Sequence, residues 1–232
     1  MIADNLHQVR TRIATACNTQ GRAPDSVTLL AVSKTFGADA VRQAHAAGQT
    51  AFGENYIQEA VDKITALADL PLEWHCIGPV QSNKTRLVAE NFAWVHTVER
   101  LKIAQRLSEQ RPAELPPLQV CLQVNISGEA SKSGLMPDEV AVVAHAVAKL
   151  PRLVLRGLMA IPEPAEDFAA QRVPHRRLRE LMQLLQADGL AFDTLSIGMS
   201  ADLEAAVLEG ATIVRIGSAI FGERASAPGH SG

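Results

Sequence analysis

Eight short apolar runs recur along the chain, and most neighbouring runs are separated by one amphipathic segment. Strands that alternate with helices favour βαβ units and a parallel sheet. Eight such units in 232 residues favour closure into a (β/α)8 barrel of the TIM type, a fold of typically about 250 residues. An open, doubly wound sheet is the alternative. The predicted strands are Val27–Ser33, Thr50–Gly53, Leu72–Gly78, Ala93–Val98, Leu118–Asn125, Leu153–Ile161, Thr194–Gly198 and Thr212–Gly217.

The segments between these runs carry helix signals. Gly48 follows one of them as a C-terminal glycine, and Ser200 and Gly210 bracket another. An extra N-terminal helix is expected over residues 1–24, where apolar residues recur at helical spacing. We expect one domain over residues 1–232, with a frayed tail at 225–232. The predicted helices are Ala38–Ala47, Tyr56–Leu67, Arg100–Glu109, Pro137–Leu150, Val173–Ala187 and Ala201–Glu209.

Composition and charge exclude several classes of protein. Apolar residues make up 47% of the chain and charged residues 20%, as in ordinary soluble proteins. The net charge of −3 and the lack of a long basic run argue against a nucleic-acid partner. No apolar run approaches the ~20 residues of a membrane helix. The three scattered cysteines favour a reducing compartment, so we expect a cytoplasmic protein.

Uncommon polar residues follow the predicted strands. Lys34 ends the first, Asn55 follows the second, and Arg215 ends the eighth. The carboxyl ends of all strands in a barrel meet at one face, which is where such barrels place their active sites. The convergence therefore predicts a functional site at this face.

Lys34 closes the apolar run Leu29–Ser33. Partial burial would disfavour the ammonium form and lower the pKa from its usual ~10.4, freeing an amine to condense with an aldehyde. The alternative is a lysine that extends from a strand end into solvent. Local sequence does not decide between the two.

Arg215 lies among apolar neighbours, so it needs a partner inside the barrel mouth. That partner is either a ligand, through a ring nitrogen or an anion, or a barrel acid such as Glu54 or Asp202. Ser200 and the pair Gly217-Ser218 are predicted to begin helices after strands seven and eight, where barrels often hold phosphate. A plain helix cap is the alternative for Ser200.

His75 and Asn55 are further candidates for the wall of a pocket. His75 could equally be a core histidine, and Asn55 a turn residue. His75 and Cys76 are adjacent in a strand and point to opposite faces, so they do not share a metal. With no Cys-x-x-Cys or His-Glu-x-x-His spacing in the chain, we expect no metal site.

Seven groups of short segments, spread over nearly the whole chain, form one specific pattern. They are Leu29–Thr35; Phe52–Glu59; Glu73–Gly78 with Gln81–Lys84; Val124–Ser127 with Lys132–Gly134; Arg156–Ile161; Leu195–Ser200; and Val214–Gly222. This pattern closely resembles the pyridoxal 5'-phosphate (PLP) homeostasis proteins, the YggS/PROSC-like family, which handle this form of vitamin B6.

The resemblance implies a fold like the N-terminal barrel of alanine racemase and a role for each candidate residue. Phe36-Gly37 and Ala201 depart from the family's usual residues, which puts loop details in doubt rather than the cofactor. The implied roles are a Schiff base to PLP for Lys34, phosphate binding for Ser200, Gly217 and Ser218, a contact with the pyridine nitrogen for Arg215, and pocket lining for Asn55, His75 and Met159.

Two functions remain, a PLP carrier or regulator and a PLP-dependent amino acid racemase. Racemisation needs an acid/base group on each face of the substrate. Lys34 could serve one face, but racemases of this fold take a tyrosine from a second domain of a partner subunit, and the only tyrosine here is Tyr56. An arginine at the pyridine nitrogen would also weaken PLP as an electron sink. We therefore expect a carrier or regulator, with PLP-dependent apoenzymes as candidate partners. We also expect a monomer.

Overall fold

The computed structural model describes residues 1–223 and contains a closed barrel of eight parallel strands in chain order. The last strand pairs with the first, and Arg215 lies opposite Leu30. The predicted (β/α)8 barrel is confirmed, and the open sheet is wrong. The strands are β1 Thr28–Val32, β2 Ala51–Glu54, β3 Glu73–Cys76, β4 Trp94–Val98, β5 Leu118–Gln123, β6 Leu153–Met159, β7 Thr194–Ser196 and β8 Ile213–Ile216.

Helices surround the barrel and connect its strands. Short 3-10 turns lie at Pro24–Ser26, Ser82–Lys84 and Pro137–Glu139. The predicted tail at 225–232 lies outside the described residues. The helices are α1 Ile2–Thr19, α2 Ala38–Ala46, α3 Ile57–Ala66, α4 Thr85–Asn91, α5 Leu101–Gln110, α6 Val140–Ala148, α7 Phe168–Ala187, α8 Leu203–Leu208 and α9 Ser218–Phe221.

Most predicted helices shift by one to three residues at their ends, and helices α4, α7 and α8 differ in ways that bear on the loops. Helix α4 has seven residues and was not predicted. Helix α7 begins five residues earlier than expected, because the Asp167 side chain accepts hydrogen bonds from the N–H groups of Ala169 and Ala170. Pro174 lies inside this helix rather than in its first turn. Helix α8 begins at Leu203 with Asp202 as its N-cap, two residues later than expected.

The apolar core has two parts. A large cluster fills the space between the strands and the helices, including α1, which packs against α8 and α9. A smaller cluster lies inside the barrel, where Leu30, Trp94 and Met159 are among its members. The barrel interior also holds polar side chains, which bear on the site described below. Within residues 1–223, no helix is long and apolar enough to cross a membrane.

Candidate functional site

A cavity of about 440 Å³ opens at the carboxyl ends of the strands. This volume lies in the usual range for small-molecule sites, roughly 300–1,000 Å³. The structure brings six of the eight predicted site residues to its wall, together with apolar side chains such as Val32, Ile77 and Ile161. The six are Lys34, Asn55, Ser200, Arg215, Gly217 and Ser218.

Lys34 follows β1 and is half-buried at the wall of the cavity. Thr35, the next residue, has a φ of 69°, a left-handed conformation that is costly for a β-branched side chain. Its N–H donates a hydrogen bond to Oε1 of Glu59 at 2.7 Å. The backbone beside Lys34 is therefore fixed by a side chain from α3.

A buried ion pair between Glu54 and Lys63 supports the backbone on the other side of Lys34, at Ser33. Lys63 Nζ lies 2.6 Å from Glu54 Oε1 and also donates to the carbonyl of Ser33 at 2.9 Å. Ser33 Oγ donates to the same Glu54 oxygen at 2.7 Å. Burial raises the pKa of Glu54, and the hydrogen bond from Lys63 partly offsets that effect. The sequence did not predict the pair of Glu54 and Lys63, which are nine positions apart. The one local signal is that Lys63 also lies four positions after Glu59, with which it forms a second ion pair.

Arg215 is 4% exposed and makes its hydrogen bonds to neutral acceptors. Nη1 donates to the carbonyl and to Oγ of Ser196, both at 2.7 Å, and Nη2 donates to the carbonyl of Ala160 at 2.9 Å. Burial lowers the pKa of Arg215 to about 10, which leaves it charged at neutral pH.

Of the two alternatives for Arg215, the ion pair with Glu54 or Asp202 is wrong. Glu54 pairs with Lys63, and Asp202 lies 2.8 Å from His175 Nε2. In the described part of the chain, no carboxylate oxygen lies within 4.0 Å of the Arg215 guanidinium. A buried cation without an ionic partner, lining a cavity, is a group suited to a polar ligand.

The two predicted helix starts have different outcomes. Ser218 is the first residue of α9, with Gly217 as its N-cap, as expected. Ser200 instead lies in a turn before α8, and its carbonyl accepts a hydrogen bond from Arg12 Nη2 at 2.9 Å. Asp202 takes the cap position and accepts from the N–H of Met199 at 2.8 Å. Ser200 thus reaches the cavity from a braced turn rather than from a helix N-terminus.

His75 and Met159 do not line this cavity, which corrects the sequence prediction. Both lie inside the barrel and are almost fully buried. Side chains two positions apart in a strand share a face, and it is Ile77 and Ile161 that reach the wall. The two residues that the resemblance assigned to the pocket therefore lie one layer below the wall, and for His75 the alternative of a core histidine describes its place.

Asn55 and Asn125, asparagines that follow strands β2 and β5, have different surroundings. Asn55 lines the cavity, and its buried Oδ1 has no hydrogen-bond partner among residues 1–223. Asn125 makes a local turn, because its Nδ2 donates to the carbonyl of Glu129 at 2.6 Å and its Oδ1 accepts from the N–H of Gly128 at 3.1 Å.

The wall chemistry fits PLP. Lys34 supplies an amine for an aldehyde, Arg215 a cation for a ring nitrogen, and Ser200 and Ser218 hydroxyls for a phosphate. The apolar side chains can contact the faces of an aromatic ring. The unpartnered Oδ1 of Asn55 is a polar atom that a bound ligand could satisfy.

Comparisons with known proteins agree with this fit. Residues 5–225 match the family described as alanine racemase, N-terminal domain. The pyridoxal phosphate homeostasis protein of Pseudomonas aeruginosa is 64% identical over 223 residues, which cover 96% of each chain. PipY of Synechococcus elongatus, solved with PLP bound, superposes with a TM-score of 0.84 at 36% identity and covers 95% of this chain and 100% of its own.

Alanine racemase of Corynebacterium glutamicum shares the fold. Its structure superposes with a TM-score of 0.69 at 19% sequence identity. The match covers 99% of this chain and 63% of the racemase chain. At this identity the likeness concerns the barrel alone.

Proposed function

The chain belongs to the pyridoxal phosphate homeostasis protein family, and on that premise we propose that it binds PLP covalently on Lys34 and serves PLP homeostasis as a carrier or regulator. The observation that carries this proposal is that Lys34, Arg215, Ser200 and Ser218 line the same cavity. Amine, cation and hydroxyls are the groups that the aldehyde, ring nitrogen and phosphate of PLP require.

Each residue has a distinct role in this proposal. Lys34 Nζ forms the Schiff base, and the braced backbone at Thr35 keeps the amine at the wall. Ser200, Gly217 and Ser218 hold the phosphate, where the N–H groups that begin α9 favour an anion. Asn55 contacts the ligand through its unpartnered Oδ1.

Arg215 donates to the ring nitrogen in this proposal. An arginine has five N–H donors, and Ser196 and Ala160 take three of them. The rest are available to the cavity that Arg215 lines. Because Arg215 stays charged at neutral pH, it favours a ring nitrogen without a proton.

Fast catalysis is not part of the proposal. When bound, PLP supplies an aldehyde and an electron-withdrawing ring, and that ring is a weaker electron sink without a proton on its nitrogen. Tyr56 is 52% exposed and is not among the cavity-lining residues of the described chain. We also propose that the chain acts in the cytoplasm as one monomeric barrel domain and exchanges PLP with PLP-dependent apoenzymes.

Reduction of the PLP-loaded protein with borohydride tests the assignment. Peptide mass mapping should place the pyridoxyl group on Lys34, and the visible absorbance of the unreduced protein should disappear in Lys34→Ala. Lys84→Ala is the matched control, because Lys84 lies beyond the cavity wall in the turn Ser82–Lys84. A pyridoxyl group on Lys84 or Lys132 instead of Lys34 would refute the assignment.

A further inference from the structure

A line of hydrogen bonds crosses the barrel interior from Arg215, at the cavity, to Glu73, at the start of β3. Arg215 Nη1 donates to Ser196 Oγ at 2.7 Å, and Ser196 Oγ lies 2.7 Å from His96 Nδ1. His96 Nε2 lies 2.8 Å from His75 Nδ1, and His75 Nε2 lies 2.7 Å from Glu73 Oε1. The line therefore joins the two ends of the barrel.

This line occupies a space that most barrels fill with branched apolar side chains. Ser196 and His96 are fully buried, His75 is 1% exposed, and only the Glu73 side chain, 51% exposed, reaches solvent. Trp94 covers His75 by stacking, with ring centroids 5.2 Å apart and an interplanar angle of 7°. Polar groups can be removed from water without a large cost only when each is hydrogen-bonded, so the line depends on every one of its contacts being made.

The chemistry of the two ends fixes the direction of every bond. The hydrogen bond from His75 lowers the pKa of Glu73, so the carboxylate is an acceptor. Burial lowers the pKa of both histidines, so each carries one ring proton. His75 must donate from Nε2 to Glu73, and its bare Nδ1 must accept from Nε2 of His96. Ser196 then donates to His96 and accepts from Arg215.

We propose that Glu73, His75 and His96 are positioning residues that act through Ser196 to hold Arg215 toward the ring nitrogen of PLP. Ser196 Oγ can accept from Arg215 because its own proton is committed to His96. Loss of the acceptor at Glu73 would let both histidines change tautomer and carry the ring proton on Nδ1. His96 Nδ1 would then no longer accept from Ser196 Oγ. This inference rests on the proposed function, since it concerns the same cavity.

Nitrogen-15 NMR of the imidazole groups tests the line directly, with and without PLP. We expect His75 and His96 to be neutral and to carry the proton on Nε2 in the wild-type chain. A proton on Nδ1 of either ring, or a cationic ring at neutral pH, would overturn the proposal. This readout does not depend on cofactor binding.

Two substitutions interrupt the line at opposite ends. Glu73→Leu removes the terminal acceptor, and Ser196→Ala removes the side-chain contact with Arg215 while the backbone carbonyl of residue 196 still accepts from Nη1. We expect each to weaken PLP binding by roughly 3- to 10-fold, the scale of one ordinary hydrogen bond, and to shift the visible absorbance of the loaded protein. Glu73→Leu should have no further effect in the Ser196→Ala chain, because the line is already interrupted.

Glu90→Leu is the matched control. Glu90 borders the same surface hollow as Glu73 and has similar exposure, 44% for its side chain, but it pairs with Arg86 outside the line. It should leave PLP affinity and absorbance unchanged. Unchanged affinity in Glu73→Leu, or an additive loss in the double variant, would refute the positioning role alone. Failure of the wild-type chain to bind PLP would refute the proposed function as well.

Discussion

The N–H of Thr35 donates to Glu59 Oε1 at 2.7 Å and thereby holds a β-branched residue at a φ of 69°. Glu59 Oε1 in turn lies 3.3 Å from Lys63 Nζ, which also binds the carbonyl of Ser33. Both neighbours of Lys34 are thus fixed by one cluster of α3 side chains. A left-handed conformation costs a non-glycine residue about 1–2 kcal/mol, so the cluster must supply at least that much.

Removal of the Glu59 acceptor should release the backbone beside Lys34. We expect Glu59→Ala to weaken PLP binding by roughly tenfold, about the loss of one hydrogen bond near a charged group, because Thr35 relaxes and the amine leaves its position. Glu59→Gln is the control, since its amide oxygen still accepts from the Thr35 N–H. Equilibrium titration with PLP, followed by absorbance, measures both variants.

Thr35→Gly adds a second check on this explanation. Glycine adopts positive φ without steric cost, so Thr35→Gly should recover part of the PLP affinity in the Glu59→Ala chain. If Glu59→Ala binds PLP as the wild-type chain does, or if glycine restores nothing, backbone strain at Thr35 does not govern the site.

The phosphate contacts can be separated from the rest of the site by choice of ligand. We expect Ser200→Ala to weaken binding of PLP by roughly 1–3 kcal/mol, the scale of a hydrogen bond to a charged group. Binding of pyridoxal, which has the aldehyde and ring but no phosphate, should not change in this variant. Equal losses for the two ligands, or no loss for PLP, would remove Ser200 from the phosphate site.

The sequence predicted the barrel and the face of the site, because both follow from short-range patterns. Lys34 and Arg215 end apolar runs, and a closed parallel barrel brings such ends together whatever the details of its helices. The sequence did not indicate how far along the barrel axis each residue lies. The resemblance assigned His75 and Met159 to the pocket wall, but both lie one layer deeper, since the period of two along a strand gives the direction of a side chain and not its depth.

Pairings between distant residues could not be predicted. The contact of Glu54 with Lys63, and the line from Glu73 to Arg215, depend on the register of neighbouring strands and on rotamers. The start of α8 was predicted two residues too early, with Ser200 as its cap, for a related reason. Serine and aspartate both cap helices, and Asp202 took the position that either could fill.

The reactivity of the cysteine thiols measures whether the apolar core of the barrel is intact. All three cysteines are buried, and burial raises the pKa of Cys76 and of Cys121 to about 12. The thiolate is the reactive form, so a native sample at pH 8 should react slowly with a disulfide reagent such as 5,5'-dithiobis(2-nitrobenzoic acid). The unfolded chain should react at once at all three cysteines and release three equivalents of thionitrobenzoate per chain. Rapid reaction of Cys76 or Cys121 in the native protein would contradict the packing of the barrel.

The proposal of a carrier predicts that the PLP-loaded protein is not a competent racemase. Each general acid or base contributes roughly 10²–10⁴-fold. Lys34 could serve as one base, but the only tyrosine in the sequence, Tyr56, lies in the loop after β2 and is half exposed. Chiral chromatography of L-alanine and a panel of other amino acids is the direct assay. Turnover on the order of 1 s⁻¹ or faster would favour the racemase instead. Tyr56→Phe belongs in the same experiment, because a loss of turnover there would identify this loop as the source of the second base. Slow, Lys34-dependent exchange that survives Tyr56→Phe would agree with a protein that holds and releases PLP.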